Sequence, residues 1–186
     1  LFGGLSCAVC VFSGIVSAGQ GGYGAAMKTR APDLTLADSA EPALDKADVV
    51  RFRPHHFLCA IGFEGKGYSG EFTENMTAIV LDRLRAEGGE ATQMRVVGQT
   101  DDICAPCPKR RGRLCTHQQG ISRLDRAHAL ALKFEPHEEL TWGDALERIR
   151  ENVMPGDLSK LCGSCRWLDY GMCEAALQRL HDGVLD

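Results

Sequence analysis

The 186-residue chain lacks any strong field of one charge sign. Its formal net charge is −4, and residues 51–186 carry 18 Lys and Arg against 20 Asp and Glu, so a general nucleic-acid surface is not expected. Aromatic residues make up only 6%. No Ser-His-Asp array and no dinucleotide-binding glycine loop stands in the sequence. Long hydrophobic runs are missing too. The apolar stretch from Leu5 to Ala18 is broken by Ser and Gly and falls short of the roughly 20 residues a bilayer requires. Residues 51–186 offer no membrane candidate at all. With 44% hydrophobic residues, the chain is long enough for one ordinary globular domain and short for two.

Cysteine, by contrast, is plentiful, with nine in all. Cys104-x2-Cys107-x7-Cys115 recurs with identical spacing as Cys162-x2-Cys165-x7-Cys173. Packing does not explain two repeated intervals, because a core cysteine needs no fixed distance to another. Ligands of one centre do need it, and a Cys-x2-Cys turn aims two sulfurs at one point. With Cys59 the set numbers seven, which cannot pair completely as disulfides. The expectation is therefore metal ligation in a reducing compartment, the cytoplasm.

A cubane iron–sulfur cluster and a closed zinc site each take four protein ligands. Cys59 can complete one triad, so two closed sites need a further ligand, with His55, His56 and His117 the candidates. Alternatively one site keeps an open position where substrate binds, or a single metal uses Cys104, Cys107, Cys162 and Cys165. Two Cys-x2-Cys pairs also suit a zinc ribbon, and the spacing leaves iron–sulfur and zinc both open. Three-cysteine groups favour iron–sulfur, since structural zinc sites rarely leave a ligand short.

Residues 1–27 hold no charged side chain and seven glycines. They read as a leader or fragment ahead of Met27-Lys28, and their Cys7-x2-Cys10 pair has no spaced third partner. Residues 28–50 read as a linker or arm, and 51–186 as the cysteine-rich domain. Within it, Ser69 caps a helical run through Phe72, Met76, Val80 and Leu84. Gln93–Gly98 is the best strand. A second helix runs from Ile121 to Phe134 with apolar positions 121, 124, 127, 130 and 134. Thr141-x-x-Asp144 opens a third as a capping box, which Pro155-Gly156 stops. Cys173 opens a short terminal helix. With one or two strands at most, the expected fold is mainly α, an α+β domain with a minor strand or hairpin, organised around the cysteine-ligated metal or cluster.

Other groups bear on chemistry. Lys109-Arg110-Arg111-Gly112-Arg113 lies inside the first triad, where cations would stabilise an anionic cluster, whereas the second triad encloses Arg166, Trp167 and Tyr170. Adjacent histidines diverge on a helix, so at most one of His55 and His56 should join the site of Cys59. The glycine-rich turn around Lys66 could cradle an anion, although a flexible turn is the default. Asp101-Asp102 should cap the ligand loop.

Arg-Pro-His-His-Phe-Leu-Cys at 53–59, Gly-Phe-Glu-Gly-Lys-Gly-Tyr-Ser at 62–69, Asp-Asp-Ile-Cys-Ala-Pro-Cys-Pro at 101–108, and Cys-Gly-Ser-Cys-Arg-Trp at 162–167 with Cys173 act together. In these motifs the chain resembles an uncharacterised prokaryotic family, domain of unknown function 1284. The resemblance covers roughly residues 51–176. It implies an intracellular cysteine-ligated cofactor, an iron–sulfur cluster, and implies no particular reaction. Three function classes follow as expectations: a redox or electron-transfer protein holding one or two 4Fe-4S clusters, with an unknown redox partner; an enzyme binding a small-molecule substrate at an open iron, assisted by Lys66, Tyr68, His55 or His56; and a structural zinc protein serving interactions.

Overall fold

The computed structural model describes residues 48–184. The apolar segment 1–27, its Cys7 and Cys10, and the arm as far as residue 47 lie outside the described residues. Strand β1 (Val50–Phe52) buries Val50 and Phe52 and turns Arg51 to solvent, the period-two pattern of a half-buried strand. It runs parallel to β2 (Gln93–Val96), with Phe52 opposite Val96. β5 (Glu139–Thr141) lies antiparallel on the other side of β2, with Leu140 opposite Met94. The strand expected at Gln93–Gly98 is thus the centre of a three-stranded sheet, where one or two strands at most were expected. Its neighbours are three residues each, too short for alternation to show in sequence. A second, two-residue ladder pairs β3 (Arg110–Arg111) with β4 (Leu114–Cys115). The domain is α+β, with helices predominating.

Between β1 and β2 come α1 (Pro54–Ile61) and α2 (Gly70–Ile79). Pro54 stands at the first helical position, where its missing N–H costs nothing. Every α1 residue except Cys59 is buried, so the helix shows no polar face. Ser69 caps α2, its Oγ accepting from the Phe72 N–H at 3.2 Å. A π turn over Val80–Leu84 extends that helix. α3 (Gln118–Leu132) follows the small hairpin, and α4 (Trp142–Asn152) starts on the anticipated capping box between Thr141 and Asp144. One-turn α5 (Leu158–Leu161) and terminal α6 (Met172–His181) complete the order.

Phe57 anchors α1 in the core. Its ring centroid lies 4.5 Å from that of Phe134, 5.4 Å from Phe52 and 6.4 Å from Trp142. Such pairs contribute about 0.5–1.5 kcal/mol each beyond their area burial. α1 is thereby fixed against α3 and α6, and that packing carries Cys59 to the terminal helix.

Candidate metal centre

Cys59 meets the second triad. Burial raises its thiol well above the ordinary range, and the charges of Cys173, Cys165 and Cys162 raise it further. Burial, then Cys165, Cys173 and Glu174, push Cys162 up to about 12, and burial, then Cys165, Glu64 and Glu174, push Cys173 up to about 11. Gly62, one residue beyond α1, lets Cys173 approach: a Cβ there would lie 2.6 Å from the Cys173 sulfur and 2.7 Å from its Cα. With their values raised in this way, Cys59, Cys162 and Cys173 remain protonated thiols. A metal would displace those protons. His128 touches the same group, its Nε2 lying 3.3 Å from the Cys162 sulfur. Its Nδ1 is 2.8 Å from the Leu124 carbonyl, which can only accept, so Nδ1 carries the proton. Burial lowers the His128 pKa and keeps the ring neutral, so the Cys162 thiol donates to Nε2.

The N-terminus of α1 carries two histidine–carboxylate pairs. His55 Nδ1 lies 2.5 Å from Asp125 Oδ1, and His56 Nδ1 lies 2.5 Å from Asp101 Oδ2. Burial drives His55 down to about 4, helped by His56, so it is a neutral ring donating Nδ1–H to a carboxylate. Burial alone would raise Asp101. His56 and the backbone N–H groups of Arg53 and Cys104 outweigh it and hold the carboxyl at about 2. Fixing Nδ1–H in this way leaves Nε2 of the His55 ring as a lone pair, the arrangement that orients histidine ligands, and the Asp101 contact orients the His56 ring in the same manner. The rings are 4.1 Å apart and both face one cavity, so the expected divergence of the two histidines does not hold. Their different carboxylates, not helical geometry alone, set their directions.

Arg53 underlies both pairs. Its Nε and Nη2 donate to Asp125 Oδ2 at 2.9 and 2.6 Å, and its backbone N–H donates to Asp101 Oδ2 at 2.6 Å. Nη1 is buried without a hydrogen-bond partner. An unmet donor of this kind costs about 1–3 kcal/mol unless something absent from the protein itself accepts from it. Its charge is among those that lower Cys104, so an anionic centre on that thiol lies within electrostatic reach.

The first triad is assembled separately. Cys104 and Cys107 form a turn (Cys107 N–H to Cys104 O, 3.0 Å), and the β3–β4 hairpin brings Cys115 opposite Arg110. Asp101 caps the turn as anticipated, its Oδ1 accepting from the Cys104 N–H at 3.0 Å. Burial, then Asp101, raises the Cys104 thiol. The His117 N–H approaches the Cys115 sulfur at 3.5 Å. Among the described residues, the one group of three candidate ligands with atoms within 4.8 Å of one another is His56, Asp101 and Cys104. Hydrogen bonds already account for that closeness on the Asp101 side, and His56 Nε2 remains without a hydrogen bond. All seven cysteines of the domain are free of disulfides.

A cavity of about 320 Å³ is lined by Cys59, Cys165 and Cys173 of the second group and by His55, His56 and His117. Lys66, Tyr68 and Arg166 are among its exposed lining residues and, with half-buried Lys109, form its mouth. Burial raises the Tyr68 hydroxyl, as do the charges of Cys165, Cys59 and Cys107, so this ring stands between thiols of the two triads.

Arg53, Asp125 and His128 were not singled out by sequence. The α3 periodicity hid the last two. Its buried face is Asp125, His128, Ala129 and Leu132, while Leu130 is 50% exposed. Polar residues therefore occupy core positions one step from the apolar series, and that offset was the available signal. No helix among the described residues is long and apolar enough to cross a membrane.

No curated protein and no solved structure gives a significant match to the chain. A family model does match, over residues 67–171, and so takes in Cys104, Cys107, Cys115, Cys162 and Cys165 while leaving Cys59 and Cys173 outside. With more than half of its length matched, the chain belongs to the family described as "Protein of unknown function (DUF1284)".

Proposed function

We propose that this is an iron–sulfur protein with a redox role in the cytoplasm, holding one closed and one asymmetric centre. The observation that carries the reading is the grouping of Cys59 with Cys162, Cys165 and Cys173, which supplies four thiols from three separate segments. These would hold a 4Fe-4S cluster as a closed site. Cys104, Cys107 and Cys115 would hold the second, with His56 Nε2 or His117 in the fourth place. Bound clusters would supply one-electron transfer to a partner protein. The chain's own part is to bury the ligands, fix the histidine tautomers through Asp101 and Asp125, and set Arg53 beside Cys104.

The repeated three-cysteine groups support iron–sulfur over zinc, because structural zinc sites rarely leave a ligand short. A second reading, an enzyme with an open iron that binds substrate, is favoured by the cavity lined by both α1 histidines and by Cys59, Cys165 and Cys173. Anaerobic purification with iron, sulfide and zinc analysis tests the proposal. Iron with equimolar sulfide and visible absorption is the expected result, and stoichiometric zinc without sulfide overturns it.

A further inference from the structure

Three cations at the cavity mouth lie on aromatic rings instead of carboxylates. Lys66 Nζ is 4.1 Å from the Tyr170 ring centroid, and Lys109 Nζ is 4.7 Å from that of Tyr68. The Arg166 guanidinium carbon is 5.1 Å from the Trp167 ring and 5.8 Å from Tyr68. They arrive from the glycine-rich turn, the start of the basic hairpin and the second triad. None forms an ion pair with a carboxylate among the described residues, and Glu64, two residues before Lys66, pairs with Arg179 at 3.8 Å. Gathering like charges without acids is unfavourable unless an anion is held there.

Behind the mouth, Phe63, Phe72, Met76 and Ile121 give the cavity an apolar lining. Its volume of about 320 Å³ falls in the range of small-molecule sites. Tyr68 meets Trp167 edge-on with ring centroids 5.6 Å apart, and Tyr170, beside the mouth, is tilted against Trp167 at 5.8 Å. This geometry suits a planar or apolar body with charge at one end.

We propose that the cavity binds a small organic anion whose carboxylate or phosphate is held by Lys66, Lys109 and Arg166, with its body turned toward the wall of Cys59, Cys165 and Cys173. The open-iron reading would give this ligand a purpose, but binding itself rests on the mouth and cavity alone. The test is calorimetry on the anaerobically isolated full chain with phthalate, phenyl phosphate and inorganic phosphate, metal and sulfide being measured in the same samples. One organic probe should bind saturably and more tightly than inorganic phosphate, and the two arms separate a carboxylate ligand from a phosphate one. Arg166→Gln and Lys109→Gln should each weaken binding about tenfold or more, with circular dichroism and metal content unchanged. The proposal is overturned if neither organic probe saturates, or if inorganic phosphate binds equally well, which means an adventitious ion only. It also fails if metal content drops with each lost cation, since the cations then serve the centre. Zinc in place of iron, with anion binding intact, would sink the iron–sulfur reading and leave this one standing.

Discussion

The two cysteine triads share every interval and almost nothing else. The second is joined by Cys59 from α1, touched by His128 from α3, and packed on the apolar core through Cys162 and Cys173. The first packs on that core through Cys107 alone, carries Cys115 on the small hairpin opposite Arg110, and has Asp101, His56 and Arg53 as polar neighbours of Cys104. Identical spacing therefore fixes how three sulfurs leave the backbone and says nothing of the fourth ligand. The surrounding tertiary packing brings Cys59 to one group and the Asp101–His56 pair to the other.

Replacing Cys59 attacks this difference most directly. Cys59→Ser should remove the iron and sulfide of the second centre and leave those of the first, read by metal analysis and the remaining visible spectrum. Unchanged metal content would detach Cys59 from the ligand set. The same comparison can be disturbed without touching a ligand. Gly62→Ala places a methyl against the Cys173 backbone and sulfur, a clash that cannot be relieved by a side-chain rotation. Overpacking of this kind costs about 1–3 kcal/mol, so thermal unfolding should fall by several degrees. The second centre should load poorly and the first normally; equal losses from both would mean general destabilisation.

His56→Ala tests the other side. It removes the ring beside Cys104 and strips Asp101 of a partner, so the first centre should lose metal while the four-thiol centre is retained. The buried carboxylate, left with only the Arg53 and Cys104 backbone N–H groups, should also destabilise the chain by about 1–3 kcal/mol. His117→Ala is the companion variant. If it alone empties the first centre, the fourth ligand is His117, and the Asp101–His56 pair is structural.

What could be read from sequence was the local chemistry. The Ser69 cap, the Thr141–Asp144 box and the turn cap on Cys104 all depend on residues within four positions, and all three form. α1 escaped notice because a helix buried on every side has no 3.6-residue signature, although Pro54 stood at its start. β1 and β5 are defined by their pairing to β2 and are too short to announce themselves. The site divides in the same way. Six candidate ligands followed from spacing, but the allegiance of Cys59 depends on α1 packing against α6 across more than a hundred residues. Asp125 and His128 were obscured because they are polar residues at core positions, where hydrophobicity alone points to the wrong face of α3.

The smallest effect belongs to a control that should leave both triads alike. Thr141 Oγ1 accepts from the Asp144 N–H at 3.1 Å and donates to Asp144 Oδ2 at 2.7 Å, while the Thr141 N–H donates to the same oxygen at 3.0 Å. Thr141→Ala removes the cap of α4, far in sequence from either triad, and should cost about 1 kcal/mol with no change in metal content. Its pH dependence has a defined sign. The Thr141 hydroxyl, then its N–H, hold the Asp144 carboxyl below its ordinary value, so that contribution is present above the unfolded carboxylate pKa and fades as pH falls through the folded one. The stability gap between wild type and variant should therefore narrow on acidification below the ordinary carboxylate range. A gap that widens there would show that the neutral carboxyl, not the carboxylate, is the partner Thr141 holds.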